Sequence, residues 1–142
     1  MTKRKTGRKG GAMFVPGLSH GMMCGTMIKI ADNSGAKTAQ IISVIGYHGR
    51  LRRIPKARIG DMVVAAVKKG NPDIRHQKVR VIIVRQRKPY RRNSGDWLQF
   101  DDNAGVIVKE DGEPRGTEIR GAVSKESAER WPLLSNKARI II

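Results

Sequence analysis

Cysteine is nearly missing from this 142-residue chain, and Cys24 alone can build neither a disulfide framework nor a Cys-x-x-Cys zinc site. A reducing cytoplasm is the expected compartment. Histidine is also sparse: His20, His48 and His76 fall in predicted loops without the spacing that brings imidazoles together on a metal. Asp101-Asp102-Asn103 resembles a metal-binding run, but the later ligands of an EF-hand loop do not follow it, so it reads as a turn. Glycines 7, 10, 11, 17, 21 and 25 form no phosphate loop, because neither Gly-x-x-x-x-Gly-Lys-Ser/Thr nor a preceding strand is present. No nucleophile, general base, metal set or cofactor site can be assembled, which argues against an enzyme, including one acting on RNA.

Long apolar runs are absent as well, and so are a secretory signal pattern, a lipidation box and a strongly amphipathic basic helix. A membrane is therefore not an expected partner. Aromatic residues number six, too few for a protein that reads single strands by stacking bases on several exposed rings. That weakens the case for a free-standing single-strand binder or nucleic-acid chaperone and favours backbone and shape recognition of folded RNA. Trp97 and Phe100 are expected in the core.

Negative charge is scarce relative to positive. Against 29 Lys and Arg stand 12 Asp and Glu, a net charge of +17 whose self-repulsion opposes compaction until a polyanion neutralises it. The imbalance is local: residues 1–95 hold 22 basic and 3 acidic side chains, residues 96–142 hold 7 and 9. Candidate phosphate contacts are Lys3, Arg4, Lys5, Arg8 and Lys9 in the tail, and Arg50, Arg52, Arg53, Lys56 and Arg58 in a middle loop. Further along come Lys68, Lys69 and Arg75, then Arg85, Arg87, Lys88, Arg91 and Arg92. Arginine suits this work because its planar fork grips phosphate oxygens while its face stacks on a base.

What remains has the pattern of one mainly β domain. Residues 1–21 are rich in Gly and cations without apolar periodicity, and are expected to be a flexible extension that orders on RNA; residues 22–142 form the domain. Strands are predicted at 26–31, 37–45, 61–67, 78–87, 97–100 and 106–108, separated by Asp32-Asn33-Ser34-Gly35, Gly70-Asn71-Pro72-Asp73, Asn93-Ser94-Gly95-Asp96 and the turn at 110–114. In the long strand, Val79, Val81 and Ile83 should share one face and Arg80, Ile82 and Val84 the other. Regular short strands suggest a small barrel. Ser124 is placed to cap a helix starting at Lys125, Pro132 should end or restart it, and residues 138–142 are a candidate terminal strand.

These residues also resemble the universal large-subunit ribosomal protein L-fourteen family. The resemblance rests on Ala31-Asp32-Asn33-Ser34-Gly35-Ala36, Gly60-Asp61, Val84-Arg85-Gln86-Arg87-Lys88-Pro89, the run Ser94-Gly95-Asp96-Trp97-Leu98-Gln99-Phe100-Asp101-Asp102-Asn103-Ala104-Gly105-Val106-Ile107, and Glu113-Pro114-Arg115-Gly116-Thr117. The long basic start and the insert at 71–77 are similar to the archaeal and eukaryotic branch. What the resemblance implies is a small five-stranded β-barrel with a protruding β-hairpin and a short C-terminal helical segment, built into the large subunit beside ribosomal protein L-three. It further implies an intersubunit bridge to small-subunit RNA and a docking surface for the anti-association factor, initiation factor six. Glu126, Glu129 and Arg130, in the near-neutral C-terminal third, are the expected protein contacts, with Trp131 and Leu134 open between core and interface.

Overall fold

In a computed structural model describing residues 18–47 and 49–142, the strands appear in chain order as follows. First come β1 (Met22–Met23), β2 (Met27–Ile30), β3 (Ala36–Val44), β4 (Lys56–Ala57), β5 (Met62–Gly70) and β6 (Lys78–Arg85). After these follow β7 (Tyr90–Arg91), β8 (Trp97–Leu98), β9 (Ala104–Val108) and β10 (Ile119–Val123), then the helices α1 (Lys125–Arg130) and α2 (Pro132–Ser135) and the last strand, β11 (Ala138–Ile141). The tail cations Lys3, Arg4, Lys5, Arg8 and Lys9, and His48, lie outside the described residues.

Five strands close a barrel in the order β2-β3-β5-β6-β9, antiparallel except where β9 returns parallel to β2 through Lys29 opposite Ala104 and Ile30 opposite Gly105. Closure removes the unpaired edges an open sheet would expose. Alternation then decides which side chains fill it: Ile28, Ala39, Ile41, Val63, Ala65, Val67, Val81, Ile83 and Ile107 are buried together inside. Gly105 is fixed by this packing, since a methyl group there would collide with Val81 Cγ1.

The expected two faces of β6 are both present and both used. Val79, Val81 and Ile83 point into the barrel, while Ile82 and Val84 join Met62, Val106 and Val108 in a second core on its outer wall, roofed by Ile119, Val123, Ala128 and Leu134. Arg80, at the end of that outer row, reaches Glu110 at 3.0 Å. The C-terminal segment is thus packed onto the barrel. Ser124 caps α1 by accepting from the Ser127 amide at 3.3 Å, and Pro132 restarts the chain as α2 after a break at Trp131.

Three features depart from the expectations. Strand β10, parallel to β11, has no alternating signature, because it bulges between Ile119 and Ala122 and Gly121 takes a positive φ of 78°. The loop at 46–60 is not free throughout: β4 pairs with β1, and Ala57 and Ile59 are buried, so its second half is sewn to the barrel end. Trp97, expected in the core with Phe100, is instead 67% exposed. The hairpin β7–β8 explains it: Tyr90 and Leu98 form the cross-strand pair turned toward the barrel, which forces the next pair, Arg91 and Trp97, outward. Phe100 is buried as expected.

Candidate nucleic-acid interface

Positive charge gathers where the backbone leaves the barrel. Between Val44 and β4 the chain makes a tight turn in which the Arg53 amide donates to Arg50 O at 3.0 Å, with Arg52 in the left-handed region at φ 65°. The turn holds Arg50, Arg52 and Arg53 in solvent, with Lys56 just beyond it. No acidic residue occurs from 33 to 60, and none of these four cations enters an ion pair among the described residues. Arg58 differs: it is buried, and its amide donates to Asp61 Oδ2 at 3.0 Å. At the far end of β5, Lys68 and Lys69 are exposed, as is Arg75 in the following connection, which the buried Ile74 pins to the barrel.

The segment from 85 to 92 divides in two. Arg85, its side chain 14% exposed, pairs with Asp102 at 3.0 Å and donates through Nη1 to the carbonyls of Arg120 and Ala122, both at 3.1 Å. It clamps β6 to β10. Arg92 pairs with Glu126 at 2.7 Å, and the Tyr90 hydroxyl donates to the same carboxylate at 3.0 Å. Burial works against the Arg92 charge, yet the bond and charge of Glu126 outweigh it and hold the guanidinium pKa above its ordinary value. The Tyr90 hydroxyl is pushed well up, first by burial and then by the neighbouring Glu126 charge. Between these anchors, Gln86 is buried and donates to Ser19 O at 2.9 Å and Lys88 O at 3.1 Å.

Arg87, Lys88 and Arg91 remain displayed to solvent. Of the basic residues the sequence singles out in the described region, the structure therefore presents Arg50, Arg52, Arg53, Lys56, Lys68, Lys69, Arg75, Arg87, Lys88 and Arg91, and turns Arg58, Arg85 and Arg92 inward. The partners of Arg85 and Arg92 lie 17 and 34 residues away, so local sequence carried no sign of them. Trp97 is the surface residue sequence reasoning missed; alternation counted back from Phe100 through Leu98 was the available signal.

His20 is exposed beside this basic ground. Partial burial, then the Arg58 charge, lowers its pKa below 6.5, opposed by Asp61 and reinforced by Lys56 and Lys88.

The C-terminal candidates are placed differently from expectation. The Glu126 side chain is only 10% exposed within the Tyr90–Arg92 network, and Arg130 reaches Asp61 at 2.7 Å, so both charges are answered inside the fold. Glu129 is exposed and stands 3.8 Å from Lys125. Leu134 is fully buried, and Trp131 is half-buried with Nε1 donating to Gly60 O at 2.8 Å. The apolar surface here comes instead from Leu133, Ile140, Ile141 and Ile142. No helix among the described residues is long and apolar enough to cross a membrane.

Residues 21–142 match the profile of the family described as ribosomal protein L14p/L23e. The chain is 53% identical over 126 residues to the large ribosomal subunit protein uL14 of Metallosphaera sedula, covering 89% of this chain and 91% of the relative. Against uL14 of Sulfurisphaera tokodaii it is 54% identical with the same coverage, and against uL14 of Thermofilum pendens 49% identical over 132 residues, 93% of this chain and 94% of the relative.

Proposed function

Since the chain belongs to the ribosomal protein L14p/L23e family, structural proteins of the large ribosomal subunit rather than enzymes, we propose that its displayed cations bind folded ribosomal RNA. The observation that carries this reading is the turn at 50–53 with Lys56: four exposed cations, no carboxylate nearby in sequence and no ion pair among the described residues. Such a cluster is unfavourable in isolation and is relieved when phosphates replace condensed counterions. Lys68, Lys69, Arg75, Arg87, Lys88 and Arg91 extend the same surface. Arg58, Arg85 and Arg92 serve it indirectly by holding its supports. The tail cations Lys3, Arg4, Lys5, Arg8 and Lys9 are assigned to the same RNA, whereas Leu18 is buried in the barrel core and the Gly21 amide donates to Ala57 O at 3.1 Å, so residues 18–21 belong to the domain. The protein works in cytoplasmic ribosomes.

Replacing Arg50, Arg52 and Arg53 together by Gln should lower affinity for large-subunit ribosomal RNA and flatten its logarithmic salt dependence by roughly 0.7–0.9 for each phosphate no longer neutralised. An unchanged slope would remove the loop from the interface.

The finer reading gives the C-terminal segment to protein neighbours at the subunit interface, among them ribosomal protein L-three and initiation factor six, near a bridge to small-subunit RNA. Its support is chemical: the segment answers its own charges in pairs and displays Leu133, Ile140 and Ile141 instead. Because Glu126 and Arg130 hold the fold, the informative variant is Glu129→Lys with Leu133→Ser. Subunits carrying it should assemble and bind initiation factor six about tenfold more weakly, as expected when a rim charge is reversed and an apolar side chain is removed from an interface. Undiminished factor binding would refute the assignment.

A further inference from the structure

We propose that Trp97 is a stacking platform for an unpaired base of the RNA, with Arg91 beside it to bind that nucleotide's phosphate or stack on its neighbour. The inference rests on the RNA-binding reading above and adds a second mode of recognition to it, contact with a base rather than with backbone alone.

The residues make this arrangement hard to avoid. Arg91 and Trp97 are directly opposite one another in β7–β8, so their side chains leave the hairpin on the same face. The hairpin is held from beneath: Tyr90 is fully buried with its hydroxyl on Glu126, and Arg92, the next residue after Arg91, grips the same carboxylate. Its tip is closed by the Arg92 amide on Asp96 O and the Gly95 amide on Arg92 O, both at 2.9 Å, and by Ser94 Oγ donating to Asp96 at 2.9 Å. An indole on so braced a support loses little freedom when a planar partner covers it.

At 67% exposure the indole presents a flat apolar face with a polar edge to solvent, and the surrounding charge chooses what it can receive. Arg87, Lys88 and Arg91 are exposed nearby, and none forms an ion pair among the described residues. At the apolar C-terminal edge, by contrast, Arg139 is matched by Glu118 at 2.9 Å. With the neighbouring Asp96 carboxylate accepting from Ser94 at 2.9 Å and the Arg91 guanidinium, unpaired among the described residues, directly opposite, the indole suits a base with its phosphate, because every base offers a π-face while the guanidinium supplies charge.

The test uses the full chain and deproteinised large-subunit ribosomal RNA over a range of salt concentrations. Trp97→Ala should weaken binding about tenfold at every salt concentration with the slope unchanged, since stacking releases no counterions. Trp97→Phe should keep most of the affinity, and Trp97→Leu should lose as much as alanine. Ultraviolet irradiation of the wild-type complex should leave a nucleotide adduct on tryptic fragment 93–109, where Phe100, the other aromatic, is buried. Equal binding by Leu and Phe variants would mean simple apolar burial and overturn stacking. So would a Trp97→Ala variant that binds RNA normally but enters subunits poorly, which would assign the indole to a protein neighbour. Salt-insensitive binding by the wild type would sink the RNA-binding reading itself, whereas a steep slope with no effect of Trp97 would sink only the platform. Unfolding of the Trp97→Ala protein should match wild type, because the side chain is largely outside the packed fold.

Discussion

The turn at 50–53 and the C-terminal segment from 119 onward face the same physical problem, charge at the surface of a small barrel, and resolve it oppositely. In the C-terminal segment, Arg130 meets Asp61, Lys125 meets Glu129 and Arg139 meets Glu118, leaving apolar side chains as the distinctive surface. In the turn, nothing among the described residues pairs with the cations. An internally neutralised surface is finished as it stands, whereas an unanswered one is complete only with a polyanion. The difference teaches that a count of basic residues overstates the charge left for a polyanion, because Arg85 and Arg92 are already engaged by carboxylates of the fold.

Arg85 tests that lesson most severely, because it comes from the basic stretch yet belongs by its contacts to the other region. Its guanidinium holds Asp102 and two carbonyls of the segment that becomes β10. Arg85→Ala should therefore destabilise the isolated protein by about 3 kcal/mol, since a partly buried carboxylate and two carbonyls lose a charged donor. Arg87→Ala, two residues on and exposed, should fall within about 0.5 kcal/mol of wild type. Urea unfolding of the two variants decides the matter. Equal stabilities would dissolve the distinction between inward and outward cations, and a larger effect at Arg87 would invert it.

Much of the fold was legible because the barrel strands obey simple alternation. Residues 78–84 sorted correctly onto two faces, Ser124 and Pro132 marked the helix starts, and turn chemistry at 32–35 and 93–96 separated the strands. The family match and the closed barrel agree with what the motifs implied. Where the reading fell short, the deciding contact was distant in sequence or the element too short to show a period. Strand β10 bulges at Gly121, β1 and β4 are two residues each, and Trp97 was grouped with Phe100 for want of clear alternation with charge rather than placed opposite Arg91. The site was half legible for the same reason. Composition identifies a basic loop, but whether an arginine faces phosphate or a carboxylate depends on Asp102 and Glu126, which only folding brings near.

The smallest effect sharpens the comparison through a proton. His20 lies on the basic side, where partial burial and then the charges of Arg58, Lys56 and Lys88 disfavour imidazolium against the single opposing carboxylate of Asp61. Its folded pKa is therefore below the 6.5 of the unfolded chain. Below 6.5 the unfolded state takes up a proton that the folded state resists, so stability should decline as pH falls through 6.5 and level off once the folded form is protonated too. His20→Gln should flatten that part of the profile. RNA reverses the sign of the field: phosphates beside Lys56 and Lys88 favour imidazolium, so over the same window affinity for large-subunit RNA should rise on acidification in wild type and rise less in His20→Gln. Opposite pH slopes for stability and for binding, both diminished by one substitution, would mark this side of the barrel as built for a polyanion. Parallel slopes, or slopes indifferent to His20, would show that the field around the basic loop is already neutralised in the free protein and that its contrast with the C-terminal segment is overstated.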